Sequence, residues 1–143
     1  MKPNLIRYGG TVIATVFALA ILNALTLQYL GVRIPPAATV LVPLMLAAAR
    51  EGQIAARGKA PAPDLKMLAG AAGLCTLIFA VIALCLFVIL RLTLGEAFTM
   101  PGGGAARYGL TLFTLVAAFV VNASFLSIGH RTEARKLAQK AGE

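Results

Sequence analysis

Three long, predominantly apolar runs without a single charged residue constrain this chain more than any other feature. They cover residues 11–30, 67–90 and 108–127. A helix of 20 residues is about 30 Å long, which matches the hydrocarbon thickness of a bilayer. The runs therefore predict three transmembrane helices and an integral membrane protein of the all-α class.

A fourth segment, residues 33–50, is shorter and contains three prolines between two terminal arginines. Its inner part spans only about 24 Å as a helix, so the flanking arginines must extend toward the headgroups if the segment crosses. Pro35 and Pro36 suit the start of a helix, whereas Pro43 lies inside it and is expected to kink it. Thr39, four residues earlier, is placed to help satisfy the carbonyl group that Pro43 leaves free.

The distribution of basic residues favours a crossing by this segment. If it crosses, ten of the 13 lysines and arginines lie on the side of the two termini and of the 51–66 loop. If it does not cross, four basic residues lie on the side of the N-terminus and nine lie opposite. Because basic residues accumulate in cytoplasmic loops, the sequence predicts one four-helix bundle of a bacterial inner membrane. Its N-terminus, the 51–66 loop and a basic tail of residues 128–143 are expected in the cytoplasm.

The connections between the predicted spans differ in character. Gly31 is expected to lead a tight turn after the first span. The helix of the second span is expected to continue past Arg50 and to break at Gly58, before the stiff sequence APAP. The sequence PGGG at 101–104 lacks the lysine and hydroxyl residue of a phosphate loop and predicts a flexible turn.

No ionisable residue lies inside the four predicted spans, where such residues usually mark enzymes and proton-coupled carriers. Glu51 and the other acidic residues are assigned to loops and to the tail. Cys75 and Cys85 are too far apart on one helix for a disulfide, and His130 is the only histidine. The sequence therefore predicts no catalytic residue, no cofactor and no metal site.

The basic residues flank apolar runs and therefore indicate anionic lipid headgroups, and not nucleic acid, as a partner. The residues expected to contact these headgroups are Arg50, Arg57, Lys59, Arg131, Arg135, Lys136 and Lys140.

Two kinds of residue inside the spans are expected to join helices. Amide side chains in hydrocarbon seek a partner on another helix, with a net gain of about 0.6–2 kcal/mol. Small residues four apart, such as Ala69 and Gly73, allow a second helix to approach closely, either within the bundle or from a partner subunit. The residues expected in such contacts are Asn23, Thr39, Pro43, Ala69, Gly70, Gly73, Asn122 and Ser124.

Two stretches carry a resemblance to a known family. They are IPPAATVLVPLMLAAAREGQIAARGKAP at 34–61 and VNASFLSIGHR at 121–131. Both resemble a small family of bacterial four-span inner-membrane proteins of unknown function, which implies a topology but no activity. The opening RYGG at 7–10 is similar, more weakly, to small four-span flippases for lipid-linked sugars.

These observations predict a non-catalytic accessory or structural subunit of a larger bacterial inner-membrane complex. Its expected partner is another integral membrane protein or a second copy of the chain. The alternative is a small oligomeric carrier or flippase, with a pathway lined by Asn23, Thr39, the backbone around Pro43, and Asn122.

Overall fold

The computed structural model describes residues 2–95 and 104–142, and over these residues it contains helices and no strands. The helices are α1 (Leu5–Leu30), α2 (Pro36–Arg57), α3 (Leu65–Leu94) and α4 (Gly104–Ala141). The predicted all-α class is confirmed for this part of the chain. The predicted turn at 101–104 lies outside the described residues, apart from its last glycine.

α1 begins six residues before the predicted span because Asn4 caps it. The Asn4 side-chain oxygen accepts a hydrogen bond from the Arg7 backbone N–H at 3.0 Å, which satisfies one of the free amides of the first turn. At the other end, Gly31 adopts a left-handed conformation with φ of 67°, and its N–H donates to the Thr26 carbonyl. The turn after α1 therefore follows Gly31, as the sequence predicts.

α2 begins at Pro36, where a missing N–H is harmless, and ends before Gly58. The helix is continuous through Pro43. The hydroxyl of Thr39 donates to the Pro36 carbonyl at 2.7 Å and so serves a different group from the one predicted, because a helical threonine reaches the carbonyl one turn back. Residues 51–57 form the last two turns of α2, which confirms the predicted continuation of this helix past Arg50 to Gly58.

Each helix packs mainly against two others, so the order around the bundle is α1, α2, α4, α3. The contact between α2 and α4 is the most extensive. Small side chains dominate the core, which lets the helix backbones approach closely. The buried core residues are Tyr8, Val12, Leu44, Ala47, Ala48, Ala71, Ala72, Cys75, Ala118 and Leu126.

Within the described residues, α1, α3 and the part of α4 from Tyr108 to Ala141 are long and apolar enough to cross a membrane, with mean hydropathies of 2.0, 3.0 and 2.0. α2 is outside this set. Large apolar side chains cover the outer surface, as at Leu77 and Phe113, which are 59% and 70% exposed, while Asn122 is fully buried. An apolar exterior around buried polar groups is typical of a multi-pass membrane protein.

Candidate functional site

One end of the bundle collects most of the buried polar and charged side chains. The Asn4 backbone N–H donates to Glu51 Oε2 at 2.9 Å, and Arg57 Nε lies 2.7 Å from Glu133 Oε1. His130 Nε2 lies 3.1 Å from the Ala60 carbonyl oxygen. The start of α1, the end of α2 and the last part of α4 therefore meet here. This region is termed the polar end, and it is defined by Asn4, Arg7, Glu51, Arg57, His130 and Glu133.

The centre of the polar end is the ion pair of Arg7 and Glu51. Glu51 is 3% exposed, and its carboxylate accepts hydrogen bonds from Arg7 Nε at 2.5 Å and Nη2 at 2.8 Å. Such a two-pronged pair fixes the geometry of both side chains. The Arg7 side chain is 34% exposed, so the pair lies at the edge of the interior. Because α2 continues past Arg50, as the sequence predicts, Glu51 lies on this helix and faces the first turn of α1, a contact that the sequence did not predict.

A second polar network joins three helices in the buried core. The Tyr8 hydroxyl on α1 donates to Asn122 Oδ1 on α4 at 2.8 Å. Asn122 Nδ2 donates in turn to Thr76 Oγ1 on α3 at 3.2 Å. Across the described part of the chain, every buried side-chain nitrogen and oxygen has a hydrogen-bond partner. The network therefore stabilises the packing of the three helices, because separating them leaves polar groups unpaired in an apolar interior.

The backbones of α2 and α4 approach each other closely at Gly52 of α2 and at Gly129 of α4. A Cβ atom added at Gly52 would lie 2.2 Å from the Leu126 carbonyl oxygen, and one added at Gly129 would lie 2.1 Å from the Ala49 carbonyl oxygen. The two backbones therefore touch with no space for a side chain. Sequence reasoning missed this contact, although Ala48 and Gly52 form a small-xxx-small pair of the kind that it singled out on α3.

The predicted small-residue pair on α3 lies elsewhere. Ala69 and Gly70 are exposed. No atom lies within 4 Å of a Cβ built at Gly70 or Gly73. These residues therefore line no internal contact among the described helices, and the alternative contact with a partner stays a prediction.

The polar residues expected to line a transport pathway make separate contacts. Asn23 Oδ1 accepts a hydrogen bond from the Ile34 N–H at 2.9 Å and so braces the turn after α1. Thr39 bonds within α2, and Asn122 belongs to the network with Tyr8. Ser124, also expected in a helix contact, is exposed.

The basic residues expected to contact lipid have two kinds of environment. Arg50 Nη1 donates to Thr11 Oγ1 at 2.9 Å, and Arg57 pairs with Glu133. The hydrogen bond from Arg57 holds the pKa of Glu133, beyond the predicted span 108–127, below its ordinary value. All seven are exposed, and the remaining five are Lys59, Arg131, Arg135, Lys136 and Lys140.

No protein-family model, no curated protein and no solved structure matches this chain. The resemblance carried by residues 34–61 and 121–131 therefore stays a prediction. Among the residues that the structure describes, no group of three His, Cys, Asp or Glu side chains is placed to hold a metal ion. The described helices are thus joined in two ways, by ion pairs at the polar end and by a hydrogen-bond network in the buried core.

Proposed function

We propose that this chain is a non-catalytic subunit of a larger protein complex in a bacterial inner membrane. In this proposal all four helices cross the bilayer, the polar end faces the cytoplasm, and the partner is another integral membrane protein. The observation that carries the proposal is the outward-facing group of small residues on α3. This group, Ala69, Gly70 and Gly73, is termed the α3 notch.

The α3 notch has the form of a helix-packing surface without an internal partner. Space around Gly70 and Gly73 is open, whereas the neighbouring Leu74 and Leu77 are 44% and 59% exposed. A depression beside large apolar side chains allows a second helix to approach the backbone and to pack against both features. In a bilayer such close packing drives association, because lipid removes the hydrophobic advantage that side chains have in water.

The proposed crossing by α2 rests on its packing and on the charge distribution. α2 lies between α1 and α4 in the order of the bundle, and Pro43 and Leu44 in its middle are buried. A helix packed in this way between two apolar helices shares their depth in the membrane. The ten basic residues that gather on the side of the two termini support a cytoplasmic polar end.

The carrier alternative has less support. A transport pathway needs polar groups that face a common space, yet Asn23, Thr39 and Asn122 bond to separate neighbours. The amide of Asn122 already bonds to Tyr8 and Thr76, which leaves it poorly suited to a passing substrate.

Native mass spectrometry after mild purification from the native membrane tests the subunit proposal. We expect the wild-type chain to carry a stoichiometric integral membrane partner and Gly73→Leu to lose it, because leucine fills the notch. Ala20→Leu, on the exposed surface of α1, is the matched control and should keep the partner. Recovery of the wild type only as a lone bundle or homodimer would reject the subunit proposal. Equal retention by both variants would reject the notch as the docking surface.

The crossing by α2 has its own test. Topology reporters fused after Val32 and after Lys59 should report opposite sides of the membrane, with the Lys59 fusion cytoplasmic. Two reporters on the same side would show that α2 does not cross.

A further inference from the structure

A groove of about 540 Å³ runs along the surface between α1 and α2, and it begins at the polar end. Its mouth is formed by Arg7, Thr11 and Arg50. Ala14 and Ala18 line it farther along α1, on the same face as Gly10, and are termed its floor. From Arg7 to Ala18 the groove follows about 16 Å of α1.

The mouth of the groove carries two guanidinium groups, but only one of them pairs with a carboxylate, so one positive charge is not balanced. Arg7 is occupied by Glu51 through two hydrogen bonds. Arg50 is exposed and pairs with no carboxylate among residues 2–95 and 104–142. A guanidinium group has five N–H donors, so the single bond to Thr11 leaves most of the Arg50 donors available to an anion.

The Arg50 side chain is also held in place. Thr11 Oγ1 accepts its hydrogen bond and donates its own proton to the Arg7 carbonyl oxygen, both at close range (2.9 and 2.8 Å). Less side-chain freedom is then lost when an anion binds than at a freely moving surface arginine. Arg50 therefore differs from exposed cations such as Lys59, which follows α2 in a turn.

The groove changes from charged to apolar in the direction of the proposed membrane interior. Arg50 is the last residue of the predicted span 33–50, so the mouth lies at the depth of the headgroups. Ala14, Ala18 and Leu46 lie deeper and offer a shallow apolar surface. This order of chemistry matches one molecule, a phospholipid with an anionic headgroup and acyl chains.

We propose that the groove binds one anionic glycerophospholipid, with its phosphate on Arg50 and one acyl chain along Ala14 and Ala18. The depth assignment rests on the membrane crossing of α2 in the proposed function. The groove itself is lined by α1 and α2 of one chain and needs no partner subunit.

Lipid titration of the purified full-length chain, read by native mass spectrometry, tests this site. The probes are phosphatidylglycerol and phosphatidylcholine with identical acyl chains. We expect one molecule of phosphatidylglycerol to bind about tenfold more tightly than phosphatidylcholine, because the choline ammonium group offsets the phosphate charge that Arg50 would bind. Arg50→Gln should remove this preference, while Lys59→Gln, the matched charge control, should keep it.

A second variant separates the groove from general attraction to the basic surface. Ala14→Phe fills the floor and should weaken both lipids, whereas Ala20→Phe on the exposed surface of α1 should weaken neither. Equal losses from Arg50→Gln and Lys59→Gln, or unchanged binding to Ala14→Phe, would overturn the proposal.

The lipid titration and the partner assay fail independently. A negative lipid result with the wild-type complex intact rejects only the groove. Loss of the partner in Gly73→Leu leaves the lipid titration unaffected, because Gly73 is on α3 and lies outside the groove. Reporters that show α2 outside the membrane would reject the depth assignment directly.

Discussion

The close approach of α4 at Gly129 to the backbone of α2 predicts that a single methyl group at Gly129 weakens the whole bundle. The added Cβ would lie within 3 Å of three backbone atoms of Ala49, the nearest at 2.1 Å, where ordinary van der Waals contact begins at 3.4 Å. Backbone atoms cannot rotate away, so α2 and α4 must separate by roughly 1 Å. A gap of that size forfeits a quarter to a half of each contact along the seam.

The expected magnitude follows from two opposing terms. Overpacking of a close-packed interior costs about 1–3 kcal/mol, and a clash between backbones belongs at the upper limit. Alanine gains about 1 kcal/mol over glycine as a helix former. Gly129→Ala should therefore lower the free energy of unfolding by about 2 kcal/mol. Gly73→Ala, the matched control in open space, should raise it by about 0.5–1 kcal/mol.

The two native cysteines supply the assay. Cys75 is buried in the core, and Cys85 is exposed. In a Cys85→Ala background, the rate at which a thiol reagent labels Cys75 in mixed micelles of increasing SDS content reports opening of the bundle. Labelling of Gly129→Ala no faster than that of Gly73→Ala would refute the backbone contact. In the double variant, Gly52→Ala should lower the free energy of unfolding by less than it does alone, because one separation of α2 from α4 relieves both clashes.

The other predictions use the same labelling assay. Tyr8→Phe should lower the free energy of unfolding by about 1 kcal/mol, because Asn122 loses a donor in the core, and an unchanged value would contradict the network. Arg7→Met should lower the free energy of unfolding by about 3 kcal/mol, because it leaves the buried Glu51 carboxylate without its charge partner. Glu51→Gln should cost less, because the Arg7 side chain that it leaves alone stays partly hydrated. The reverse order would contradict the burial of Glu51. Since the pKa of Glu133 is lowered in the folded chain, its contribution is present above the unfolded value of about 4.3 and is lost as pH falls through the folded value. Wild type and Glu133→Gln should then differ in stability at neutral pH and converge in acid, and a constant difference would contradict the pair.

The helices of this fold were predictable because uncharged apolar runs allow few other structures in a membrane. The end of α2 at Gly58 was predictable for the same kind of local reason, a glycine followed by prolines. The start of α1 at Leu5 was not, because it depends on the cap by Asn4 and on the partner that Arg7 finds on α2. Such cross-helix partners are invisible in hydropathy.

The candidate site was harder to predict than the fold. The sequence singled out Asn122 because an amide in an apolar run stands out, but nothing local pointed to Tyr8 or Thr76 as its partners. Small residues mark surfaces of close approach on both α2 and α3, and spacing alone could not decide which pair is used internally. That choice depends on how the helices are rotated, which in turn depends on polar partners such as Glu51.

The extensive contact between α2 and α4 has a consequence for biosynthesis. Among the described helices, α2 falls outside the set apolar enough to cross on its own, and its main neighbour, α4, lies two helices later in the chain. Until α4 is made, the contacts available to α2 from earlier residues are those with α1, among them the pairing of Arg7 with Glu51, while the hydrogen bond from Ile34 to Asn23 braces the turn between the two helices. A chain truncated before α4 would expose the Ala48 and Gly52 surface to the lipid and to membrane proteases. We therefore expect α2 to reach its final packing only after α4 has been synthesised.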